Sequence, residues 1–525
     1  MKKTMKQHSF ASRLKSLALA FGIALSFASC ANDDLAQSGT MSTDAKDLTA
    51  FSTGNPTTRT SMKEDGTFYW EAGDKIYVKD DGGTWHASSN SPTGKTASFK
   101  FLVPGTYIAH SSYEVYYPGR NGANDQVTIP ANQIQFAPNT TTNFGASGDC
   151  GMALASRIGA NNQFSFVLDH KVAYLRFLPR TANFVLEDCY LTKIEITSNN
   201  NITGTYTLDP TADAGAGALT GTGSGKQIVL TNYYGIHGGF PLTNSITDAT
   251  KNGSYVIIKP GTHTLTVRYW LRDAVSGTEG TITKMIYSQK FDQNKYYDIT
   301  ANLDVKNYDG DHYYMWDAQD QYWAGYEWTK KLPTGTGQPI IDGDFSTNYA
   351  RNHSDSRYCS EYYPGWAVSN PATHASFNNV PNANEMSWYA MKGEPHWDND
   401  ELWTAMGHLY KGGMWFLKKA FIFDYTPNKA ANKYYGYLEL AGSCSNSSVS
   451  SGHPFSPGGN KYFFLSAMGF YSSGTMHRIG YEGYYWASSG FPQNKYKAYR
   501  LFFDKNHVEV DIESRDYGFR AQAFE

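Results

Sequence analysis

Between residues 68 and 305 apolar and polar positions alternate in short runs, separated by clusters of Gly, Asn, Pro and Asp. This pattern predicts strands joined by tight turns, with runs at 97–103, 113–117, 164–168 and 171–178. In 264–271, Leu265, Val267 and Tyr269 fall on one face and Thr266, Arg268 and Trp270 on the other, which predicts a half-buried strand. Gly73 and Asp74 predict a turn between two strand segments anchored in the core by Trp70 and Ile76. The Gly/Ala/Thr/Ser stretch 212–226 reads as a loop, because strand-like sequence resumes at 227–230. Two helices are expected further on. In the first, Leu402, Ala405, Met406 and Leu409 recur at helical spacing behind an Asp398 or Asn399 cap, with Asp400 and Glu401 in the opening turn and Gly412-Gly413 as the stop. The second begins at Asn382, capped with the help of Glu385, and buries Met386, Tyr389 and Ala390. Val508, Val510 and Ile512 alternate with Glu509, Asp511 and Glu513 as a half-exposed strand.

A chain of 525 residues is too long for one core, so several domains are expected. Its 45 basic and 48 acidic side chains nearly balance, which leaves no electrostatic footprint for nucleic acid. Composition shifts at residue 306: the last 220 positions hold nine of the twelve Trp and 23 of the 39 Tyr. The expected fold class is mainly β, with β-sandwich architecture up to about residue 305 followed by an α+β domain over 306–525.

The first thirty residues read as an address. Lys2, Lys3, Lys6, Arg13 and Lys15 precede an apolar run, 17–27, too short to span a bilayer. The run ends in Ala28-Ser29-Cys30, which resembles the lipobox of bacterial lipoproteins, and Ala31-Asn32-Asp33-Asp34 resembles the acidic tag of surface-exposed Bacteroidetes lipoproteins. The resemblance implies a lipidated Cys30 holding the protein on the outer membrane. Residues 31–60, rich in Ser, Thr, Asp and Ala, read as a flexible pro-segment or tether.

With Cys30 set aside, Cys150, Cys189, Cys359 and Cys444 remain, an even number in a compartment that permits disulfides. Pairing Cys150 with Cys189 and Cys359 with Cys444 is the simplest of three connectivities; free buried thiols are the alternative. No Cys/His cluster has metal-ligand spacing, and no cofactor is expected. The chain is not expected to be an enzyme. Gly221 to Lys226 imitates a phosphate loop, but Gln227 stands where Ser or Thr is required, and neither GxSxG nor HExxH occurs.

Thr58-Arg59-Thr60, Trp70 to Ile76, Phe166 to Phe177 around His170 and Arg176, and Tyr296-Tyr297-Asp298-Ile299 together resemble the fimbrillin family of Bacteroidetes pilins. The resemblance implies two β-sandwich domains, placed at 61–180 and 181–305. It also implies that an arginine-directed protease, here cutting at Arg59, removes the N-terminal segment and opens a groove for a strand from the next subunit.

Residues 461–520 carry a second resemblance, in Phe464 to Phe470, Gly480, Gly483 to Ser489, Ala498-Tyr499 and Asp516 to Arg520. They are similar to the Fibrobacter-type major paralogous domain, whose scaffold is C-type-lectin-like and binds ligands on a loop surface near its end. Trp486 is expected in the core. Tyr484, Lys495, Tyr496, Arg515, Asp516 and Tyr517 are the ligand-surface candidates, with solvated loop residues as the alternative reading. Glu394-Pro395 followed by Asp398-Asn399-Asp400 imitates the calcium and sugar motifs of animal C-type lectins, but the elements adjoin, so they read as helix capping.

The expected function is a fimbrial tip subunit and adhesin. A shaft subunit requires a C-terminal donor strand, and here a 220-residue domain ends the chain. Its expected partners are other fimbrial subunits, a host or bacterial surface glycan or protein, and the outer membrane before maturation. The alternative is an anchored glycan- or protein-binding lipoprotein that never polymerises.

Overall fold

In the computed structural model the described residues are 5–9, 48–53, 61–62, 68–160, 162–183, 186, 189–244, 246–273, 278–308, 312–326, 346–361, 372–406, 408–431, 442–455 and 460–525. Cys30, Arg59 and the apolar run 17–27 lie outside them. The fold is mainly β, and among the described residues no helix is long and apolar enough to cross a membrane. Two compact units are present. The first gathers 1–180, 190–268 and 284–302, and the second gathers 181–189, 269–283 and 303–525. Most of both stretches expected as separate sandwiches therefore belongs to the first unit.

The strands up to residue 302 are β1 (Met5–Ser9), β2 (Leu48–Thr53), β3 (Tyr77–Lys79), β4 (Trp85–Ala87), β5 (Lys100–Pro104), β6 (Ser112–Tyr117), β7 (Gly151–Arg157), β8 (Gln163–Phe166), β9 (Ala173–Thr181), β10 (Cys189–Ser198), β11 (Gln227–Asn232), β12 (Ser254–Ile258), β13 (Gly261–Asp273), β14 (Glu279–Phe291) and β15 (Lys295–Asn302), and they belong to the first unit except for Thr181, Cys189, 269–273 of β13 and 279–283 of β14. One sheet runs β4-β3-β6-β7-β8-β2-β5. A second places β9 between β12 and β15, antiparallel to the first and parallel to the second, and β1 lies antiparallel to β15. In a third, β11 lies antiparallel to β10 and parallel to Asn132–Gln135.

Period-two alternation explains most of these strands. In β6 the pattern fails because Tyr116 on the outer face is buried too, edge-on against Trp85. The 70–76 turn forms as expected: Trp70 and Ile76 are fully buried, and Gly73 has φ +86°, which an L side chain rarely adopts. Asp74 is more than a turn residue. It is 1 % exposed, accepts from the Glu71 amide at 2.7 Å and from the Tyr117 hydroxyl at 3.0 Å, and so pins the turn to β6. In β13 both faces are buried over 264–269, so the expected half-buried strand is an interior one. The 212–226 loop contains a short strand, Ala218–Thr220, and β11 follows Lys226, so no helix stands behind the phosphate-loop imitation.

The tether reading of 31–60 fails at residues 48–53. There β2 pairs parallel with β8, from Gln163↔Ala50 to Phe166↔Thr53, and antiparallel with β5, from Leu48↔Pro104 to Ser52↔Lys100. A Ser/Thr-rich segment of six residues becomes an interior strand because neighbours on both sides satisfy its backbone.

The second unit contains β16 (Tyr313–Tyr314), helix α1 (Ala383–Lys392), β17 (His396–Ala405), β18 (His408–Leu417), β19 (Cys444–Asn446), β20 (Tyr462–Ser466), β21 (Gly483–Gly490), β22 (Lys497–Phe503), β23 (Val508–Ser514) and β24 (Phe519–Arg520). Its main sheet runs β16-β24-β21-β22-β23-β19. The capping box that opens α1 is formed by Asn382 and Glu385, each side chain accepting from the other's backbone amide at 2.9 Å. Met386, Tyr389 and Ala390 then pack with Tyr485, Tyr499, Leu501, Phe503, Val508, Val510 and Phe524 in one core. Trp486 lies in a separate cluster with Trp316, Phe377 and Phe519, and its Nε1 donates to the Tyr314 carbonyl at 2.7 Å.

The helix expected over 402–409 does not form. β17 and β18 are an antiparallel hairpin, and β18 also pairs with β20. Trp403 and Tyr410 stand opposite each other with stacked rings 5.1 Å apart, a cross-strand pair that rewards the sheet over the helix. A register shift between Asp398 and Leu402 breaks simple alternation, and Met406 turns the chain at φ +52°. Asp398 consequently caps no helix; it accepts from the Trp415 indole at 3.2 Å inside the hairpin. Gly413 is not a stop either. A Cβ there would come within 2.4 Å of the Leu465 carbonyl oxygen on β20, so glycine permits the pairing.

Among the described residues no disulfide joins Cys150 to Cys189 or Cys359 to Cys444, so the structure has the thiol alternative rather than the simplest pairing. Cys444 is built into the core around α1, whereas Cys359 packs at the margin of a different cluster around Tyr471 and Met468. Cys150 and Cys189 are each fully buried, with Cys189 beginning β10 and Cys150 preceding β7.

Candidate functional site

Two places in the fold have the form of a site, one in each unit. In the first unit it is the slot occupied by β2. Phe51 is fully buried, stacked on Phe164 at 4.9 Å and edge-on to Tyr107 at 5.3 Å. Thr53 closes the strand: its amide donates to the Phe99 carbonyl at 3.1 Å, and its Oγ1 accepts from the Phe99 amide at 2.9 Å. Taking β2 away would leave the facing edges of β5 and β8 unpaired above an apolar slot lined by Phe101, Tyr107 and Phe164. Arg59, the expected cleavage position, follows this strand in sequence but lies outside the described residues.

In the second unit a cavity of about 510 Å³ is lined by His353, Tyr358, Cys359, Ser360, Glu361, Lys495, Tyr496, Ser514, Arg515 and Asp516. Four of the six ligand-surface candidates, Lys495, Tyr496, Arg515 and Asp516, therefore meet in one place. The other two do not: Tyr484 and Tyr517 lie on a half-buried aromatic cluster with Phe470 and Phe519. Burial, then the neighbouring Glu482, pushes the Tyr484 hydroxyl well above its ordinary value, and it donates to Glu482 at 2.9 Å.

The four pocket residues are not equivalent. Arg515 is only 2 % exposed: its guanidinium lies 4.1 Å from the Trp316 ring centroid, and Nε donates to the Lys497 carbonyl at 3.1 Å. Its amide also donates to the Tyr496 carbonyl at 3.1 Å, so Arg515 holds the loop that presents Lys495 and Tyr496. Tyr496 is 68 % exposed, with the Lys495 ammonium 5.1 Å from its ring centroid. Asp516 is exposed beside them.

The opposite wall was missed in the sequence. It comes from the polar run Asn352 to Glu361, whose only outward signal is its density of hydrogen-bonding and aromatic types. His353 Nδ1 meets the Cys359 carbonyl at 3.0 Å, and Nε2 lies 3.4 Å from Glu361. Burial first, then Asp516, pushes the Cys359 thiol up to about 12, so at neutral pH it is a protonated, unreactive wall of the cavity. An exposed aromatic ring among carboxylate, ammonium, hydroxyl and imidazole groups suits a polyhydroxylated or polar peptide ligand. Among the described residues no group of three or more His, Cys, Asp or Glu is placed to hold a metal ion.

No family model matches the sequence, and no curated protein matches it. The structure is similar to a candidate cell adhesion protein from Bacteroides uniformis at 18% identity and TM-score 0.27, covering 50% of this chain and 94% of that one. It is also similar to a candidate cell adhesion protein from Bacteroides ovatus, at 13% identity and TM-score 0.30 over 49% and 93% of the two chains. A fimbrial protein from Bacteroides ovatus is similar over 90% of this chain and 99% of its own, at 12% identity and TM-score 0.22.

Proposed function

We propose that this chain is a fimbrial tip subunit and adhesin of the bacterial cell surface. In this reading it is exported as an outer-membrane lipoprotein through Cys30 and matured by cleavage at Arg59. It then joins the fibre by accepting a donor strand from another fimbrial subunit. The observation that carries the reading is β2: an interior strand, paired on both sides, that precedes an arginine in a Thr-rich stretch. A cut at Arg59 separates β2 covalently from everything after it. The slot then needs another strand, because unpaired backbone groups over an apolar floor are costly. Residues 519–525 are used within their own unit. Phe524 lies in the core around α1, and Glu525 accepts from the Tyr389 hydroxyl at 2.5 Å and the Lys419 amide at 2.8 Å. The second unit is the head, and the cavity at Lys495, Tyr496 and Asp516 is where it takes a surface glycan or protein.

Intact mass and N-terminal sequencing, applied to sheared surface fibres and to the outer membrane, test the assembly. Wild-type protein from fibres is expected to begin at Thr60, and Arg59→Ala is expected to stay on the membrane with residues 48–53 attached. Fibre-borne wild-type protein that still carries residues 48–53 would overturn the reading. Protein found only on the membrane, beginning at Cys30, would establish an anchored receptor instead. For the head, Tyr496→Ala is expected to weaken adhesion to the cognate surface about tenfold, through loss of one stacking contact, with thermal stability unchanged. Arg515→Ala, by contrast, is expected to lower stability and binding together.

A further inference from the structure

One carboxylate in the first unit holds a buried amine and a primary carboxamide side by side. Lys171 lies between Asp169-His170 and β9, and its side chain is 2 % exposed. Its Nζ is 2.5 Å from Asp169 Oδ2 and 2.8 Å from the Ala216 carbonyl. Asn294 donates from Nδ2 to Asp169 Oδ1 at 2.6 Å. The Asn294 position is fixed by its backbone. It sits at φ +55° in the turn between β14 and β15, its amide donates to the Val172 carbonyl at 2.9 Å, and the next residue, Lys295, is in register with Ala173. Nearby, Gln293 Nε2 donates to the Gly217 carbonyl at 3.2 Å, tying the turn to the segment that also holds Lys171.

We infer that Lys171 and Asn294 join in an intramolecular isopeptide bond promoted by Asp169. Asp169, hydrogen-bonded to Nζ at 2.5 Å, is the group placed to take its proton. The neutral Nζ attacks Cγ of Asn294. The Nζ–Cγ bond forms, the Cγ–Nδ2 bond breaks, and Asp169 passes the amine proton to the departing nitrogen, which leaves as ammonia. No oxidant or co-reactant is needed. Confinement of both reactants on one carboxylate replaces an encounter between separate groups. The Asp169 side chain is 49 % exposed, which gives ammonia a route out. The product ties the start of β9 to the start of β15, its parallel neighbour, by a covalent link that pulling or heating cannot unzip. This inference does not rest on the pocket or on cleavage at Arg59.

Intact mass and tryptic mapping of the purified full chain test it. The expected result is a mass about 17 Da below that of the sequence, one ammonia, with Lys171 resistant to trypsin and its peptide linked to the one containing Asn294. Asp169→Ala and Lys171→Arg are both expected to restore the full mass and two separate peptides. Separate peptides in the wild type, or a deficit confined to Asn294 as a succinimide, would overturn the bond. A cross-link that survives Asp169→Ala would overturn the role of the carboxylate. The wild-type map decides the first question even where a variant fails to fold.

Discussion

Phe51→Ala is expected to lower the stability of the uncut chain by about 3–5 kcal/mol, the cost of deleting a fully buried ring whose neighbours cannot collapse into the gap. The ring stacks on Phe164 and meets Tyr107 edge-on, so both lose a partner at once. Urea unfolding of the first unit, followed by tyrosine and tryptophan fluorescence, measures the effect. The informative comparison is with the same variant after cleavage at Arg59 and replacement of β2 by a donor strand. There residue 51 has left the polypeptide, and the variant is expected to match the wild type. Equal destabilisation before and after cleavage would mean that β2 stays in its slot, and the strand-exchange reading would be lost with it.

This asymmetry makes mechanical sense of an arrangement that looks wasteful. A strand inserted between two others removes their open edges during export, when unpaired edges invite aggregation. Because it lies upstream of the proposed cut, one hydrolysis converts a closed sheet into an acceptor.

Whether an element was legible in the sequence depended on whether its neighbours in the chain were also its neighbours in space. The α1 cap was legible because Asn382 and Glu385 satisfy each other's amides within one turn. β23 was legible because Val508, Val510 and Ile512 alternate cleanly at one end of a hairpin. β2 was not, since its polar composition matches a tether and its stability comes from partners some 50 and 110 residues away in β5 and β8. The hairpin β17–β18 was misread for another reason. Leu402, Ala405, Met406 and Leu409 happen to fall at helical spacing, while the irregularity after Asp398 erases the period of two. The pocket was half legible: polar and aromatic residues near the end of the chain do gather there, with Tyr496 and Asp516 exposed. Arg515 was misjudged as surface because a stack on Trp316, nearly 200 residues earlier, leaves no local trace.

Two segments of the fimbrillin resemblance, Phe166 to Phe177 and Tyr296 to Ile299, are far apart in sequence but meet in one ion pair. Arg176 on β9 is in register with Asp298 on β15, with Nε–Oδ1 at 2.6 Å and Nη2–Oδ2 at 2.8 Å. The side chains are 13 % and 14 % exposed, so water screens the pair little, and the bidentate geometry fixes the register of two parallel strands. Arg176→Ala is expected to cost about 3–5 kcal/mol, most of it from the Asp298 carboxylate left buried without its guanidinium. The double substitution Arg176→Met with Asp298→Leu is expected to recover most of that loss, since no charge then remains to be buried. A double-mutant cycle in urea separates the two effects. A loss below about 1 kcal/mol for Arg176→Ala would reduce the pair to the level of a surface salt bridge, and packing alone would then have to explain why these strands hold a parallel register. A large loss with recovery in the double variant would locate the constraint in the pairing of opposite charges across β9 and β15, the same two strands that the Lys171–Asn294 bond would fasten at their starting ends.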